Sequence, residues 1–267
     1  MPELPDVEGF RRLFAEHAVN RAIRRVDVLD AAVLRTVGAG ELRETLCGKR
    51  FDRPWRRGKW LVAALSDGKR RPGDNGAVLL HFGMTGSLHW AGDEADRHPH
   101  DRVVFVFASG ELRYRDMRKL QGLWFARDHG EVERTLAGAG PDALDVSRDV
   151  LDERLSGQRR QIKAALVDQS VVAGLGNLLA DEILWRARIH PRRPCIQIGH
   201  SDVGRLHGTM TTVLRQSIKD GRIPTRKTWL TGRRDEPAGS CPRCGTTLAH
   251  GRVAGRGTTW CPHCQPA

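Results

Sequence analysis

The sequence predicts an α+β chain of several domains: a β-sandwich or barrel led by a helix, then a helical region, then a small cysteine-rich unit. Three observations carry that prediction. Short β-branched and apolar runs separated by Gly, Pro and Asp clusters occupy the first half. Apolar residues at helical spacing occupy much of the second. Four of the six cysteines crowd into the last thirty residues.

In chain order, residues 5–18 read as a helix, with Pro5 suited to the first helical position, Asp6 and Glu8 in the first turn, and Val7, Phe10 and Phe14 at helical spacing. From about Ile23 to Phe125 the pattern becomes that of strands, in RRVDVL, KWLVAAL, AVLLHF and RVVFVF, with GKRRPGDNG and AGDEADRHPHD as polar connections. The Gly/Pro stretch LAGAGPDAL closes this half. Helical spacing then returns around 159–170 and 178–188. A third helix sets Val203, Leu206, Met210, Val213 and Ile218 on one face, from a capping Ser201 to a stop at Gly221.

With 267 residues, 39% of them hydrophobic, the chain can bury a substantial core. Neither a secretory segment nor an apolar run near twenty residues is evident, so a cytoplasmic location is expected and a membrane partner is not. The formal charge is +12 and the pI about 10.2, which makes a polyanion the first partner to consider. Charge alone is equally consistent with a soluble basic protein. Its distribution favours phosphates: Arg53, Arg56, Arg57 and Lys59 form one cluster, Arg159, Arg160 and Lys163 a second, and Arg222, Arg226, Lys227, Arg233 and Arg234 a third.

The tail CPRCGTTLAHGRVAGRGTTWCPHC places Cys241 and Cys244, then Cys261 and Cys264, as two C-x-x-C knuckles sixteen residues apart. That spacing predicts one tetrahedral Zn2+ with four thiolate ligands. So short a segment has too little apolar surface to fold well without it. Four cysteines leave no open coordination position, so the metal is expected to be structural. Two redox pairs are the competing reading of the same thiols. Cys47 and Cys195 are left over, as buried or idle thiols.

Upstream, Ala173-Gly174-Leu175-Gly176-Asn177 interrupts two helical stretches, the second opening at the Asn. Free N–H groups at a helix start, beside an amide side chain and flexible glycines, suit a phosphate; a plain helix–helix turn fits the same residues.

Taken together these pieces resemble the formamidopyrimidine-DNA glycosylase and endonuclease VIII family of bifunctional DNA repair glycosylases. PELP at 2–5, RRGKW at 56–60, HFGMTGSL at 81–88, DQSVVAGLGNLLADEILWRARIHP and the terminal cysteines occur in the family's order across nearly the whole chain. The resemblance implies an N-terminal catalytic β-sandwich domain at 1–137, a helix-two-turn-helix DNA-binding domain at 150–230 and a four-cysteine zinc finger at 237–267. It also implies a monomer acting on damaged double-stranded DNA, nucleoid-associated, with no cofactor beyond structural zinc.

By resemblance, Met1 is removed and the Pro2 amine attacks C1′ of the damaged nucleotide. Elementary acid–base chemistry agrees: an α-amino group, with a pKa of about 7.7–8.0 against about 10.4 for lysine, is roughly a quarter free base near pH 7.4. The iminium so formed is an electron sink that permits β- and then δ-elimination of phosphate. Glu3 would be the general acid/base and Lys59 the holder of the phosphate beside the lesion. Lys163, Asn177 and Arg256 would clamp the backbone, Met84 would fill the gap left by the extracted base, and Arg118 would contact the orphaned partner base.

Three features depart from the family pattern. Leu120 stands where guanine-lesion enzymes carry phenylalanine, Asp6 replaces the second glutamate of the N-terminal motif, and the stretch from Gly221 to Cys241 is short, without an evident lesion-capping loop or Tyr-Gly-Arg run. The expected substrates are 8-oxoguanine and formamidopyrimidines. Oxidised pyrimidines, bulkier adducts or abasic sites alone are the alternative, and a zinc-ribbon protein that binds damaged DNA without cutting it is the non-enzymatic one.

Overall fold

The computed structural model describes residues 1–66, 75–92 and 97–267. Most of GKRRPGDNG and the central acids of AGDEADRHPHD, both expected to be polar connections, lie outside the described residues. Two compact units form: Met1–Pro2 with Val7–Ala137, and Glu3–Asp6 with Gly138–Ala267.

The first helix, α1 (Leu4–His17), starts and ends one residue earlier than expected. The Asp6 carboxylate accepts the Glu3 backbone N–H at 2.8 Å and so caps the turn one position before Pro5. Pro5 becomes the second helical residue, where its missing N–H still costs nothing.

In the first unit, β1 (Arg25–Val28) precedes α2 (Ala39–Leu46). Then follow β2 (Arg50–Phe51), β3 (Trp55–Arg57), β4 (Trp60–Ser66), β5 (Ala77–His81), β6 (Ser87–Ala91), β7 (Asp101–Phe107), β8 (Gly110–Arg115), β9 (Gly122–Ala126) and α3 (His129–Leu136). The strands make two antiparallel sheets, ordered β1-β7-β8-β6 and β2-β4-β5-β9, with β3 also paired to β4.

These sheets share one core, so of the two expected architectures the sandwich is formed. Leu61, Ala63 and Leu65 of β4 and Val78 and Leu80 of β5 join Val103, Phe105 and Tyr114 of the other sheet. Phe51 bridges Phe14 and Phe105 at centroid distances of 4.9 and 5.5 Å. Alternation sends Val62, Ala77 and Leu79 to the opposite face. There Val132 and Leu136 of α3 cover them, which explains why β4 and β5 read as continuous apolar runs. The short helices α2 and α3 were not evident in the sequence, because each shows its buried face through only two residues, Leu42 and Leu46 or Val132 and Leu136.

The second unit holds α4 (Arg148–Leu155), α5 (Ile162–Leu166), α6 (Asn177–Arg186), α7 (His200–Lys219) and the hairpin of β10 (Ala249–Val253) and β11 (Arg256–Trp260). Of the helix expected around 159–170, only α5 forms. Its lead-in is tied to a neighbouring strand-like segment, with Gln161 bridging Pro194 and Ile162 N–H donating to Arg193 O at 2.8 Å. α7 begins one residue before Ser201, which lies inside the helix; Gly199 is its N-cap. Val203, Leu206, Met210 and Val213 are buried, and Ile218 packs partly buried against the same core. Among the described residues, no helix is long and apolar enough to cross a membrane.

Candidate active site and metal centre

Within the first unit, Gly58 and Lys59 form the two-residue connection between β3 and β4, where Arg57 pairs with Trp60. Lys59 therefore sits at a hairpin tip, not within a strand. The ladder pairs Trp60 with His81, whose ring lies edge-on at 4.9 Å. Burial, and then the positive charge of Lys59, lower the His81 pKa to about 4. Its Nδ1 accepts the Gly83 N–H at 3.1 Å. The imidazole is thus neutral at ordinary pH and oriented by the loop that follows it.

That loop also carries Met84. Arg118, on the connection between β8 and β9, points Nη1 at Met84 Sδ, 3.1 Å away. The two connections are tied below this contact. Thr85 Oγ1 donates to Asp116 Oδ1 at 2.6 Å, and Arg118 N–H donates to Thr85 Oγ1 at 3.0 Å. Lys119 adopts φ of 52°, held by Asp30 on its ammonium and by Arg35, which donates to the Lys119 and Gln121 carbonyls. On these two connections Met84, Met117 and Leu120 are exposed by 42, 54 and 49%. Large apolar groups held outward by a fixed base mark a surface built to contact something.

In the second unit, Glu3 is 1% exposed. Its Oε2 accepts the Gly176 N–H at 2.7 Å and the Leu179 N–H at 3.2 Å, while Oε1 accepts the Leu178 N–H at 2.8 Å. The start of α6 has no cap from its own N-cap residue, Gly176, and this carboxylate supplies one. The N–H groups read as free for a phosphate are therefore filled by a side chain 173 residues upstream. The glycines owe their place to the same approach. A Cβ on Gly176 would overlap the Glu3 carboxylate, and one on Gly174, at φ of 113°, would come within 2.6 Å of Leu4 Cδ1.

Lys163, expected as a backbone clamp, is fully buried. Its Nζ lies 2.6 Å from Asp181 Oδ1 and donates to Thr258 Oγ1 at 2.7 Å and Gly257 O at 3.1 Å. Burial pushes the lysine pKa down and the Asp181 pKa up, each opposed by the partner's charge. An ammonium so enclosed holds the β10–β11 hairpin in place instead of presenting charge to solvent. Asn177 acts at the same point: Nδ2 donates to Gly257 O at 2.9 Å, and Oδ1 is buried without a hydrogen-bond partner among the described residues. Arg256, adjoining Gly257 at the hairpin tip, is exposed. Lys163 and Asn177 thus both hold Gly257, next to the exposed Arg256.

The sulfurs of Cys241, Cys244, Cys261 and Cys264 all lie within 4.8 Å of one another. Separations of 3.5 Å (Cys244 to Cys261 and to Cys264) and 3.9 Å (Cys241 to Cys264) match the edge of about 3.8 Å that a tetrahedron with Zn–S near 2.3 Å requires. Burial raises the Cys261 and Cys264 thiols, whereas hydrogen bonding with Thr246 lowers that of Cys244 to about 5. The residues fit one structural Zn2+.

Comparisons with known proteins agree along the whole chain. The family model of the formamidopyrimidine-DNA glycosylase N-terminal domain matches residues 1–123, that of its H2TH domain 138–228, and that of the zinc finger found in FPG and IleRS 241–267. The formamidopyrimidine-DNA glycosylase of Symbiobacterium thermophilum is 40% identical over all of this chain and 90% of its own length. The chain belongs to the formamidopyrimidine-DNA glycosylase family. The Geobacillus kaustophilus glycosylase is 35% identical, covering 99% of this chain and all of its own. Among solved structures, the Lactococcus lactis glycosylase bound to Fapy-dG-containing DNA has a TM-score of 0.87 at 30% identity over 99% of this chain and all of its own. A MutM complex with carbocyclic 8-oxo-G-containing DNA has the same score and identity over the full length of both chains.

For this glycosylase family member, reading the sequence overlooked three groups. His81 lies inside HFGMTGSL, where no sequence signal separates it from a solvated histidine. Met117 shows nothing in sequence that separates it from a core methionine. Asp181 reads only as a polar position of α6, and its burial depends on Lys163 reaching it from α5.

Proposed function

We propose that the Pro2 nitrogen, freed by removal of Met1, is the nucleophile of this base-excision DNA glycosylase, and that Glu3 is its proton-transfer partner. The protein excises oxidised bases from DNA, as its family does. The observation that carries the assignment is the seat of Glu3. A buried carboxylate with both oxygens held by backbone N–H groups is the residue that follows Pro2 in the chain.

In this reading the Pro2 lone pair bonds to C1′ as the damaged base departs with the glycosidic electron pair and a proton. The sugar ring opens, its oxygen taking a proton by way of Glu3. The iminium then draws electrons from C2′–H as that proton is removed, and the 3′ phosphate leaves. A second elimination releases the 5′ phosphate. Lys59 neutralises a phosphate beside the lesion, Arg256 contacts the backbone, and Met84 with Arg118, Met117 and Leu120 fills the vacated stack. Leu120 and Met117 make this wedge aliphatic, which favours deformable fit over aromatic stacking. Lesion preference within the oxidised bases is assigned to 8-oxoguanine and formamidopyrimidine, on the PELP terminus. The division at 1–137, 150–230 and 237–267, the monomeric state and the cytoplasmic, nucleoid-associated location belong to the same proposal.

Borohydride trapping tests it, on duplexes containing an abasic site or 8-oxoguanine, with the terminus checked by mass. A covalent adduct on both is expected from the processed protein. A protein that retains Met1, whose Pro2 nitrogen is an amide, should give none while binding the duplex within about threefold of normal, since the charges that hold DNA are untouched. Adduct formation by the Met1-bearing protein would eliminate Pro2 as nucleophile. An adduct confined to the abasic duplex would assign the protein to other lesions.

A further inference from the structure

Trp185, in the last turn of α6, is 4% exposed and packs in a cluster with Leu230, Cys241, Leu248 and Cys261. A buried indole N–H needs an acceptor. Among these apolar neighbours its Nε1 lies 3.3 Å from Cys241 Sγ and donates to it. Arg243, between the first two cysteines, holds the ring from its face: the guanidinium lies 4.7 Å from the ring centroid and donates to the Trp185 and Arg186 carbonyls at 3.3 Å each. Helix and knuckle therefore grip each other at two points.

The electrostatics make this grip consequential. Four thiolates leave a zinc centre with a formal charge of about −2, and it lies beside the carbonyl end of a helix, which carries negative partial charge of its own. Arg243 offsets those carbonyls. N–H donors offset the sulfurs: Cys264 N–H donates to Cys261 Sγ at 3.3 Å, and the indole serves Cys241. Because Trp185 and Cys241 are both buried, this donor acts at low dielectric, where a charge-assisted hydrogen bond is strongest.

We propose that Trp185 is a positioning residue of the zinc site: its indole N–H donates to the Cys241 thiolate, orients that ligand and slows loss of the metal. The helix whose first turn seats Glu3 thereby ends as part of the metal's surroundings. Phenylalanine at this position would keep a ring under Arg243 but lose the donor.

The test compares zinc transfer from the full-length zinc-loaded protein, and from Trp185→Phe, to a chromogenic chelator in excess. Loss of a donor to a metal ligand typically weakens retention by about 10–100-fold, so release at least about tenfold faster is expected from a variant with the unaltered far-ultraviolet circular dichroism spectrum. Release at the wild-type rate from such a variant overturns the proposal. Should the variant fail to fold, the wild-type protein loaded with 113Cd decides. Scalar coupling between the metal and the Trp185 indole proton, transmitted through Cys241 Sγ, supports the bond, and its absence overturns it.

Discussion

His81 illustrates how a single side chain acquires its properties from placement. Its ring is buried against Trp60 and faces the charge of Lys59, and both effects disfavour the imidazolium. The folded-state pKa of about 4 lies below the ordinary value of 6.5, so as pH falls the unfolded chain takes up this proton first. The corresponding stability is fully present above about pH 6.5 and is lost as pH falls towards about 4, by at most roughly 3 kcal/mol. Thermal melts between pH 7 and 4 should therefore lose less stability in His81→Gln than in the wild type. Parallel profiles for the two proteins would show that acid sensitivity in this window comes from elsewhere. Nothing in the motif HFGMTGSL distinguishes this histidine from a solvated one; the distinction comes from the pairing of β4 with β5.

At the scale of elements, α6 does the most. Its first turn holds Glu3, its centre holds Asp181 and through it Lys163, and its last turn meets the zinc knuckle. Gly176→Ala probes the first of these. The added Cβ would occupy the position of the Glu3 carboxylate, so the acid must leave its seat on the first turn of α6. Base excision should fall by about 10²-fold or more, the scale of a displaced general acid or base. Stability should fall by about 1–3 kcal/mol for the backbone donors left unmet. Zinc content should be unchanged. Excision at the wild-type rate would mean that Glu3 acts from some other position.

Elements were unequally legible in the sequence. β5 and β7 stand out as apolar runs, and α7 as a long amphipathic face, because each carries four or more buried apolar residues. By contrast, α5 is only five residues long and is set by its contacts with Arg193 and Pro194, distant in sequence.

For the whole molecule, charge is the governing quantity. With a formal charge of +12, about +10 once zinc is bound through four thiolates, affinity for DNA should fall steeply with salt. The slope counts phosphates neutralised, and this separates residues that composition treats alike. Arg256→Ala should weaken binding and lower the slope of log affinity against log salt by about 1. Lys163→Ala should leave the slope unchanged and lower thermal stability, since its charge is already matched by Asp181 in the interior. Titrations of an abasic-site duplex at several salt concentrations measure both. A slope lowered equally by the two substitutions would mean that the lysine leaves its burial site when DNA binds.

The sequence by itself determined what depends on local spacing and residue type. The two cysteine pairs, the apolar face of α7, the strand runs, the ordered family motifs and the basic charge clusters all survive whatever the chain does over long distances. Only the tertiary structure decided how groups far apart in sequence complete one another. Glu3 caps a helix that begins at Asn177, Lys163 disappears beneath the finger hairpin, and the indole of Trp185 turns towards Cys241. The physical reason is that burial and hydrogen-bond partnership belong to pairs of residues in space, whereas sequence records one residue at a time.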